Sequence, residues 1–407
     1  MIHRLFNLGL RGGGMVGKFL LIFFLARILS PEEVGVYGLF AATVSYALYF
    51  LGLDFYTYSG RAMLHAEKTK WPNLLRDQSV LFICSYLVIF PLLSLIFIVE
   101  LLPIKYALLF YIILTLEHLS QELNRLMVII GKPLASGVLS FIRSGAWCYA
   151  LIAIYLIRFV RVDLYFVLLL WILADTLVLI GGIWLLRKLP WSNLTWTVNW
   201  TWIYQGLKVA SLFFVGTIAL RGLFTLDRYF IETFSSREIL GVYTLYIGIC
   251  FSLIGFVDAV VFSFRYPLLF SLYKSEQHVA FKAAKHDFSR QTFLTVSALA
   301  LTVGLFIVPA LKLIGKPIYL EYINVFYLLL TASVIYVMSH IPHYILYATG
   351  QDFCIVRAHI IGFISFIIFA MILAPTYQMI GVATALLIAI AVIGVLKQWK
   401  IFRWVDQ

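Results

Sequence analysis

Charged residues are scarce in this 407-residue chain, which is 12% charged and 63% hydrophobic. Soluble domains carry roughly 25% charged residues, so the composition excludes a soluble globular protein. The apolar segments are continuous and lack the period-two alternation of an outer-membrane barrel. Helices are then the elements that can satisfy the backbone in lipid, and the sequence indicates an all-α integral membrane protein.

Acidic residues are also few, with 19 Asp and Glu against 31 Lys and Arg. Most of the basic residues fall in connections on the side of the N-terminus, among them the C-terminal Lys397, Lys400 and Arg403. The positive-inside rule therefore predicts a multi-pass protein with both termini cytoplasmic. The net charge of +12 is thus a topology signal, and we expect no nucleic-acid partner.

Paired cysteines and nucleotide-binding loops are absent. The four cysteines lie inside apolar segments without metal-ligand spacing, so we interpret them as small core residues and expect no metal site. No Gly-x-x-x-x-Gly-Lys phosphate loop occurs, which argues against ATP hydrolysis. We therefore expect no cofactor, and coupling to protons or sodium stays open.

Twelve apolar segments are long enough to cross a bilayer of about 30 Å. The first six lie at 7–29, 35–59, 79–102, 105–130, 134–159 and 164–186. The second six lie at 207–231, 241–264, 292–314, 320–348, 354–375 and 378–399. We predict two six-helix lobes, 1–187 and 206–407, joined by a tryptophan-rich cytoplasmic interfacial linker, 188–205.

One phrase occurs twice, as Ser30-Pro-Glu-Glu-Val-Gly-Val-Tyr37 and Ser236-Arg-Glu-Ile-Leu-Gly-Val-Tyr243. The copies are about half the chain apart, which is typical of a transporter built from repeats. In each copy the serine can cap a new helix, with Glu33 completing a capping box in the first. We predict two external turns in which glycine permits close helix packing and tyrosine anchors the interface.

These phrases carry a family resemblance. The chain resembles bacterial polysaccharide (O-antigen, Wzx-type) flippases of the multidrug/oligosaccharidyl-lipid/polysaccharide (MOP) superfamily, over essentially its whole length. The likeness rests on three runs in order: Leu25-Ala-Arg-Ile-Leu-Ser-Pro-Glu-Glu-Val-Gly-Val-Tyr-Gly-Leu39, Leu226-Asp-Arg-Tyr-Phe-Ile231 followed by Gly241-Val-Tyr243, and Ile380-Gly-Val-Ala-Thr-Ala385.

The resemblance implies a V-shaped transporter around a cavity. Its cargo would be an undecaprenyl-pyrophosphate-linked oligosaccharide repeat unit, moved from the cytoplasmic to the periplasmic leaflet by alternating access. The partners implied are membrane lipids and the polysaccharide polymerase and chain-length machinery, and we expect a monomer.

Basic residues inside the apolar segments are the candidates for binding such an anion. Arg4, Arg11 and Lys18 recur every seven residues and so share one helix face. Arginine binds phosphate oxygens with a bidentate fork, whereas lysine acts as a compact charge. The predicted pyrophosphate or glycan ligands are Arg11, Lys18, Arg143, Arg221 and Arg228. Headgroup anchoring remains the alternative for Arg11, and an ion pair with Asp227 remains the alternative for Arg228.

Acidic residues inside the segments are candidates for ion coupling or gating, because a buried carboxyl group can exchange a proton. Aligning the halves brings Asp54 and Asp258 to matching positions, each with an arginine seven residues on. A helix-stabilising ion pair is the alternative for both. The full set of candidates is Asp54, Asp258, Glu117 and Asp227.

Neutral polar residues repeat in the fourth and tenth segments. Their donors and acceptors suit sugar hydroxyls, and polar contacts between helices are the alternative interpretation. The predicted glycan contacts are Gln121, Asn124, His340 and His343.

Two other functions are alternatives to a flippase. A multidrug or cation antiporter of the same superfamily would favour an acidic cavity, whereas Lys18, Arg143 and Arg221 are basic. A membrane glycan polymerase or ligase handles the same lipid-linked glycans but presents a long periplasmic loop, and the external connections here are short. We therefore expect a transporter and not an enzyme.

Overall fold

The computed structural model describes residues 2–157 and 162–404, and this part of the chain is helical without strands. The side chain of Arg4 lies outside the described residues. The first half contains α1 (Ile2–Ile28), α2 (Pro31–Gly52, continued by Tyr56–His65), α3 (Trp71–Ile98), α4 (Ala107–Ile129), α5 (Pro133–Phe141, Ile142–Ala146 and Trp147–Leu156) and α6 (Leu164–Leu186).

The second half repeats this number of helices. It contains α7 (Trp200–Phe234), α8 (Arg237–Val257, Asp258–Phe262 and Ser263–Lys274), α9 (His278–Ile314) and α10 (Ile318–Glu321, Ile323–Met338 and His340–Ala348). Asp352–Trp404 holds α11 and α12, which are joined at Gln378 by a non-helical φ of 47°. The predicted twelve helices are thus confirmed.

Ten helices of the described residues are long and apolar enough to cross a membrane. The difference from twelve has two causes. α4 is not among the ten, since the polar and charged residues between 117 and 125 lower its hydropathy, and α11 and α12 form one continuous stretch. The multi-pass character follows from these spans.

The helices form two compact units. The N-unit comprises Met1–Leu21 and Leu39–Phe214, and the C-unit comprises Ile22–Gly38 and Val215–Gln407. Residues 22–38, where α1 ends and α2 begins, therefore belong with the second half of the chain. Lys316 binds this segment within the C-unit by donating to the carbonyl of Ala26 at 2.6 Å and to that of Leu29, which satisfies carbonyls left free where α1 ends.

The two copies of the repeated phrase begin α2 and α8 as predicted. Ser30 N donates to Glu33 Oε2 at 3.0 Å, and Glu33 N donates to Ser30 Oγ at 3.2 Å, which completes the capping box. Ser236 Oγ accepts from the Ile239 backbone at 3.3 Å. The prediction that Tyr243 anchors the membrane interface is wrong, because its ring is fully buried.

Glycines of the two copies pack against each other inside the C-unit. A Cβ atom on Gly35 would lie 2.3 Å from the Arg237 carbonyl oxygen, and one on Gly241 would lie 1.9 Å from the Pro31 carbonyl oxygen. The same sequence offset relates Gly35 to Gly241 and Pro31 to Arg237. The same contact therefore occurs twice: the glycine of each copy packs against the backbone at the start of the other copy. Neither glycine has room for a side chain.

Irregular backbone marks the two paired aspartates. The predicted helix over 35–59 is interrupted at Leu53 and Asp54, whose φ angles are 51° and 49°. In α8 a π-helical turn begins at Asp258. Such turns leave backbone groups out of the regular ladder and often occur at functional sites.

The linker is bound to the start of α3. Arg76 Nη1 donates to Thr195 Oγ1 at 2.8 Å, and the Asn199 backbone donates to Asp77 Oδ1 at 3.2 Å. Asn199 Oδ1 also accepts from the Trp202 backbone at 3.0 Å and so caps α7. Trp196 exposes 90% of its surface, as expected for a side chain at a membrane interface.

Substituting Gly241→Ala should destabilise the protein, because the added methyl group must displace the backbone of Pro31. Overpacking of this kind costs about 1–3 kcal/mol. Thermal unfolding of the purified protein in detergent measures the effect. Gly9→Ala is the matched control, since nothing lies within 4 Å of its added Cβ; equal melting temperatures for both variants would contradict the close contact.

Candidate functional site

The N-unit contains a charged network in which α4, α5 and α6 each supply a member. Arg143, in the π-helical turn of α5, places Nη1 3.4 Å from Glu117 Oε1 on α4. Trp171 of α6 donates from Nε1 to Glu117 Oε2 at 3.4 Å. The predicted anion ligand Arg143 and the predicted coupling residue Glu117 are therefore partners of each other.

Asp175 extends this network, and its carboxylate is the least satisfied group in it. The residue is fully buried, and within the described part of the chain its carboxylate receives no hydrogen bond from an amide, hydroxyl or cationic group; its side-chain hydrogen-bond partner is the carboxyl group of Glu117. Its electrostatic neighbours are Glu117, Arg143 and Lys18. Two neighbouring carboxyl groups in a low-dielectric interior are stabilised by sharing one proton. The arrangement can therefore hold a proton between Glu117 and Asp175.

A second N-unit network lies at the break in α2. Glu122 pairs with Arg125 and accepts from Gln78 Nε2 at 2.9 Å. The Arg125 guanidinium lies 3.7 Å from the Tyr56 ring centroid. Asp54 is 5% exposed and acts electrostatically on Glu122, so this predicted coupling residue belongs to a largely paired cluster.

One of the two predicted glycan contacts on α4 forms a hydrogen bond to a neighbouring helix. Asn124 Oδ1 accepts from Ser136 Oγ at 2.6 Å, which joins α4 to α5. Gln121 is partly buried. Asn124 thus makes a polar contact between helices, which is the alternative that the sequence left open. Glycan binding by Gln121 or Asn124 stays a prediction.

In the C-unit, Asp227 and Arg228 form the ion pair that the sequence left as an alternative. Arg228 Nη1 lies 3.2 Å from Asp227 Oδ1, and Tyr243 donates to Asp227 Oδ2 at 2.8 Å. Asp227 is fully buried. The three groups join α7 to α8 near the repeated phrase, and a role for Arg228 in substrate binding stays a prediction.

A cluster of basic side chains lies between α10, α11 and α12, and we call its members Lys397, His343 and His359 the lysine–histidine cluster. Lys397 Nζ is 3.0 Å from His359 Nε2 and 3.3 Å from His343 Nδ1. Lys397 exposes 3% of its surface. Lys397, counted above as a basic residue of the C-terminus, is therefore packed among helices.

Sequence reasoning found only part of this cluster. His343 was predicted as a glycan contact, whereas His359 and Lys397 were missed. Their signal was present, because both residues interrupt long apolar segments in which a charge is costly. Spacing along one helix could not reveal partners that come from three helices.

His340 lies beside the cluster. Its Nδ1 is 2.9 Å from the Tyr336 carbonyl oxygen, and its ring stacks on Phe262 with 5.7 Å between centroids. Asp258, the predicted coupling residue of α8, is hydrogen-bonded to Tyr344, whose ring is 5.5 Å from that of His343. These contacts bring three predicted site residues into one region of the C-unit.

Three of the predicted basic ligands are exposed. Arg11 and Lys18 on α1 and Arg221 on α7 are all exposed, whereas the charged groups of the networks above are buried or partly buried. Lys18 and Arg221 both lie well inside their helices. No group of three or more His, Cys, Asp or Glu able to hold a metal occurs among the described residues.

Comparison with known proteins identifies the fold. No protein-family model and no curated protein matches the chain. Solved structures match it over nearly its full length. One is an inward-facing multidrug resistance MATE family transporter of the MOP superfamily, with 13% identity, a TM-score of 0.75 and coverage of 97% of this chain and 94% of that one.

Two further structures agree. An outward-facing MATE family transporter of the MOP superfamily is 15% identical with a TM-score of 0.59, covering 97% of this chain and 94% of that chain. A MOP superfamily transporter from Pyrococcus furiosus, described as having a binding pocket of reverse polarity, is 14% identical with a TM-score of 0.58, covering 99% and 94%. The fold is therefore that of MOP superfamily transporters.

Substituting Arg143→Gln should destabilise the protein, since it leaves Glu117 and Asp175 without the cation between their helices. Removing one partner of a buried pair costs roughly 3–5 kcal/mol. The double variant Arg143→Gln with Glu117→Gln should recover part of this loss. Thermal unfolding of the two single variants and the double variant gives the coupling energy, and strictly additive effects would argue against the pair.

Proposed function

We propose that this chain is a flippase that moves undecaprenyl-pyrophosphate-linked oligosaccharide repeat units from the cytoplasmic to the periplasmic leaflet of the bacterial inner membrane. The observation that carries the proposal is the exposure of Lys18 and Arg221 within membrane-spanning helices. A charge at that depth is costly against lipid, so it faces water or a charged ligand. The cargo that fits two exposed cations is an anion.

The positions of the acidic groups also favour an anionic cargo. Asp54, Asp175 and Asp227 are buried in the networks of their own units, and Glu117 is paired with Arg143. These carboxyl groups are therefore buried or partly buried inside their own units, whereas Lys18 of the N-unit and Arg221 of the C-unit are each exposed. A pyrophosphate suits an exposed cation in either unit better than a cationic drug does, because like charges placed together cost free energy.

A multidrug or cation antiporter is the second candidate, because solved structures with this fold include multidrug resistance MATE family transporters. Those comparisons support the two candidates equally, since at 13–15% identity they speak to fold alone. The sign of the exposed charges is what favours the flippase. Partnership with a polysaccharide polymerase and chain-length machinery belongs to this proposal.

The Glu117–Asp175 pair is the strongest candidate for coupling transport to protons in this proposal. It combines a buried carboxylate with a second carboxyl group and the cations Arg143 and Lys18. A change in the charge around Lys18 would alter how firmly the pair holds its proton. Asp54 and Asp258, which the matching of the two halves favoured as coupling residues, become weaker candidates because each has local partners.

Substituting Arg221→Ala or Lys18→Ala should reduce surface glycan in a strain whose own repeat-unit flippase has been deleted. Loss of a charge-assisted contact of about 1.5 kcal/mol lowers binding about tenfold. Arg221→Lys keeps the charge and should lose less. Surface glycan and accumulated lipid-linked intermediate are measured together at matched protein levels.

Lys282→Ala is the control for charge loss alone, because Lys282 is exposed at the start of α9. Normal surface glycan in strains that carry Arg221→Ala or Lys18→Ala would contradict the proposed role of that residue in binding the cargo. Failure of the unmodified chain to restore glycan, together with drug resistance in the same strain, would favour the antiporter.

A further inference from the structure

The lysine–histidine cluster has a composition that structural packing alone does not explain. A buried ammonium is normally stabilised by a carboxylate, because an unpaired charge in a low-dielectric interior is costly. Within the described part of the chain, no carboxylate lies within ion-pair distance of Lys397. Its two nitrogen partners are imidazoles.

The hydrogen bonds limit how the cluster can be protonated while Lys397 is charged. An imidazole nitrogen accepts from an ammonium only while it carries no proton of its own. His343 Nδ1 and His359 Nε2 are therefore acceptors when Lys397 is charged. The ring of His359 is held in place by a second hydrogen bond to the backbone of Gly216. While Lys397 is charged and both imidazoles are neutral, the three residues share one excess proton.

A second proton would place two positive charges within about 3 Å of each other, where the mutual repulsion is large in a medium of low dielectric constant. The other groups that face the cluster are His340 and Tyr336 on α10, Tyr344 with its partner Asp258, and Arg221 on α7. His340 and Arg221 add to the positive potential. The cluster is thus poised to respond to any negative charge that enters its neighbourhood.

Arg221 is the point at which a negative charge can enter. It acts electrostatically on His340 and His359, and unlike the cluster it is exposed. A phosphate bound to Arg221 would offset the positive potential that Arg221 exerts on these imidazoles. An opposite charge nearby favours the protonated form of a base.

We propose that Lys397, His343 and His359 form a proton-binding site whose proton occupancy rises when a phosphate group binds at Arg221. This inference rests on the proposed function, since it takes the anion to be the pyrophosphate of the cargo. Binding of cargo then draws a proton into the C-unit, and release of cargo discharges it. Affinity for the anion should accordingly increase as the pH falls and decrease as it rises.

Titration calorimetry on the full chain in detergent tests the linkage, with farnesyl pyrophosphate as the probe. Heats measured at one pH in buffers of different ionisation enthalpy give the number of protons taken up per bound probe. We expect uptake approaching about one proton for the unmodified protein. In His343→Gln and His359→Gln, each of which lacks one of the two imidazoles next to Lys397, we expect the uptake to fall.

His286→Gln is the matched control, because His286 is exposed at the start of α9 and lies outside the cluster. It should keep the full uptake. Binding without proton uptake by the unmodified protein, or unchanged uptake in both cluster variants, would overturn the inference and leave the proposed function standing. Absence of binding by the unmodified protein would overturn the anionic cargo and the linkage together. The unmodified protein decides the matter even if one variant fails to fold.

Discussion

The structure depends on one constraint: a charge placed among membrane helices has to be compensated locally. The N-unit meets it with opposite charges, as in the pairing of Arg143 with Glu117. The C-unit meets it in the same way at Asp227 and Arg228, and with imidazoles around Lys397. Each of these networks ties helices together, because at least one partner comes from another helix, as Tyr243 of α8 does for Asp227.

The two solutions differ in how they respond to their surroundings. An ion pair already contains its counter-charge, so a distant ligand changes its energy little. A cluster that shares a single charge among basic groups has no internal counter-charge and is sensitive to the field that reaches it. Stability is therefore expected from a closed ion pair such as that of Asp227 and Arg228, and responsiveness from groups of like charge, such as the lysine–histidine cluster and the Glu117–Asp175 pair.

The helices could be predicted from the sequence because bilayer thickness sets their length, and the capping box at Ser30 and Glu33 could be predicted because it is local. Partners across helices could not be predicted. Tyrosine is a residue type that commonly anchors helices at the membrane interface, yet the hydroxyl of Tyr243 donates a hydrogen bond to buried Asp227. Lys397 stands near the C-terminus, where a basic residue indicates topology, yet the neighbouring histidines hold it inside. In each case the deciding contact comes from a residue distant in sequence.

The paired glycines at the start of α2 and α8 have a consequence for how the two halves of the gene can change. The offset that relates Gly35 to Gly241 also relates Gly38 to Thr244, so at this point a residue meets its own counterpart. A Cβ atom on Gly38 would lie 2.0 Å from Thr244 Oγ1. Two side chains cannot occupy that place together, so the two matched positions can hold two glycines, or one glycine and one side chain, but not the same larger residue twice. The glycine at 38 and the threonine at 244 meet this condition, and the repeat therefore cannot be made exactly symmetric with threonine at both positions.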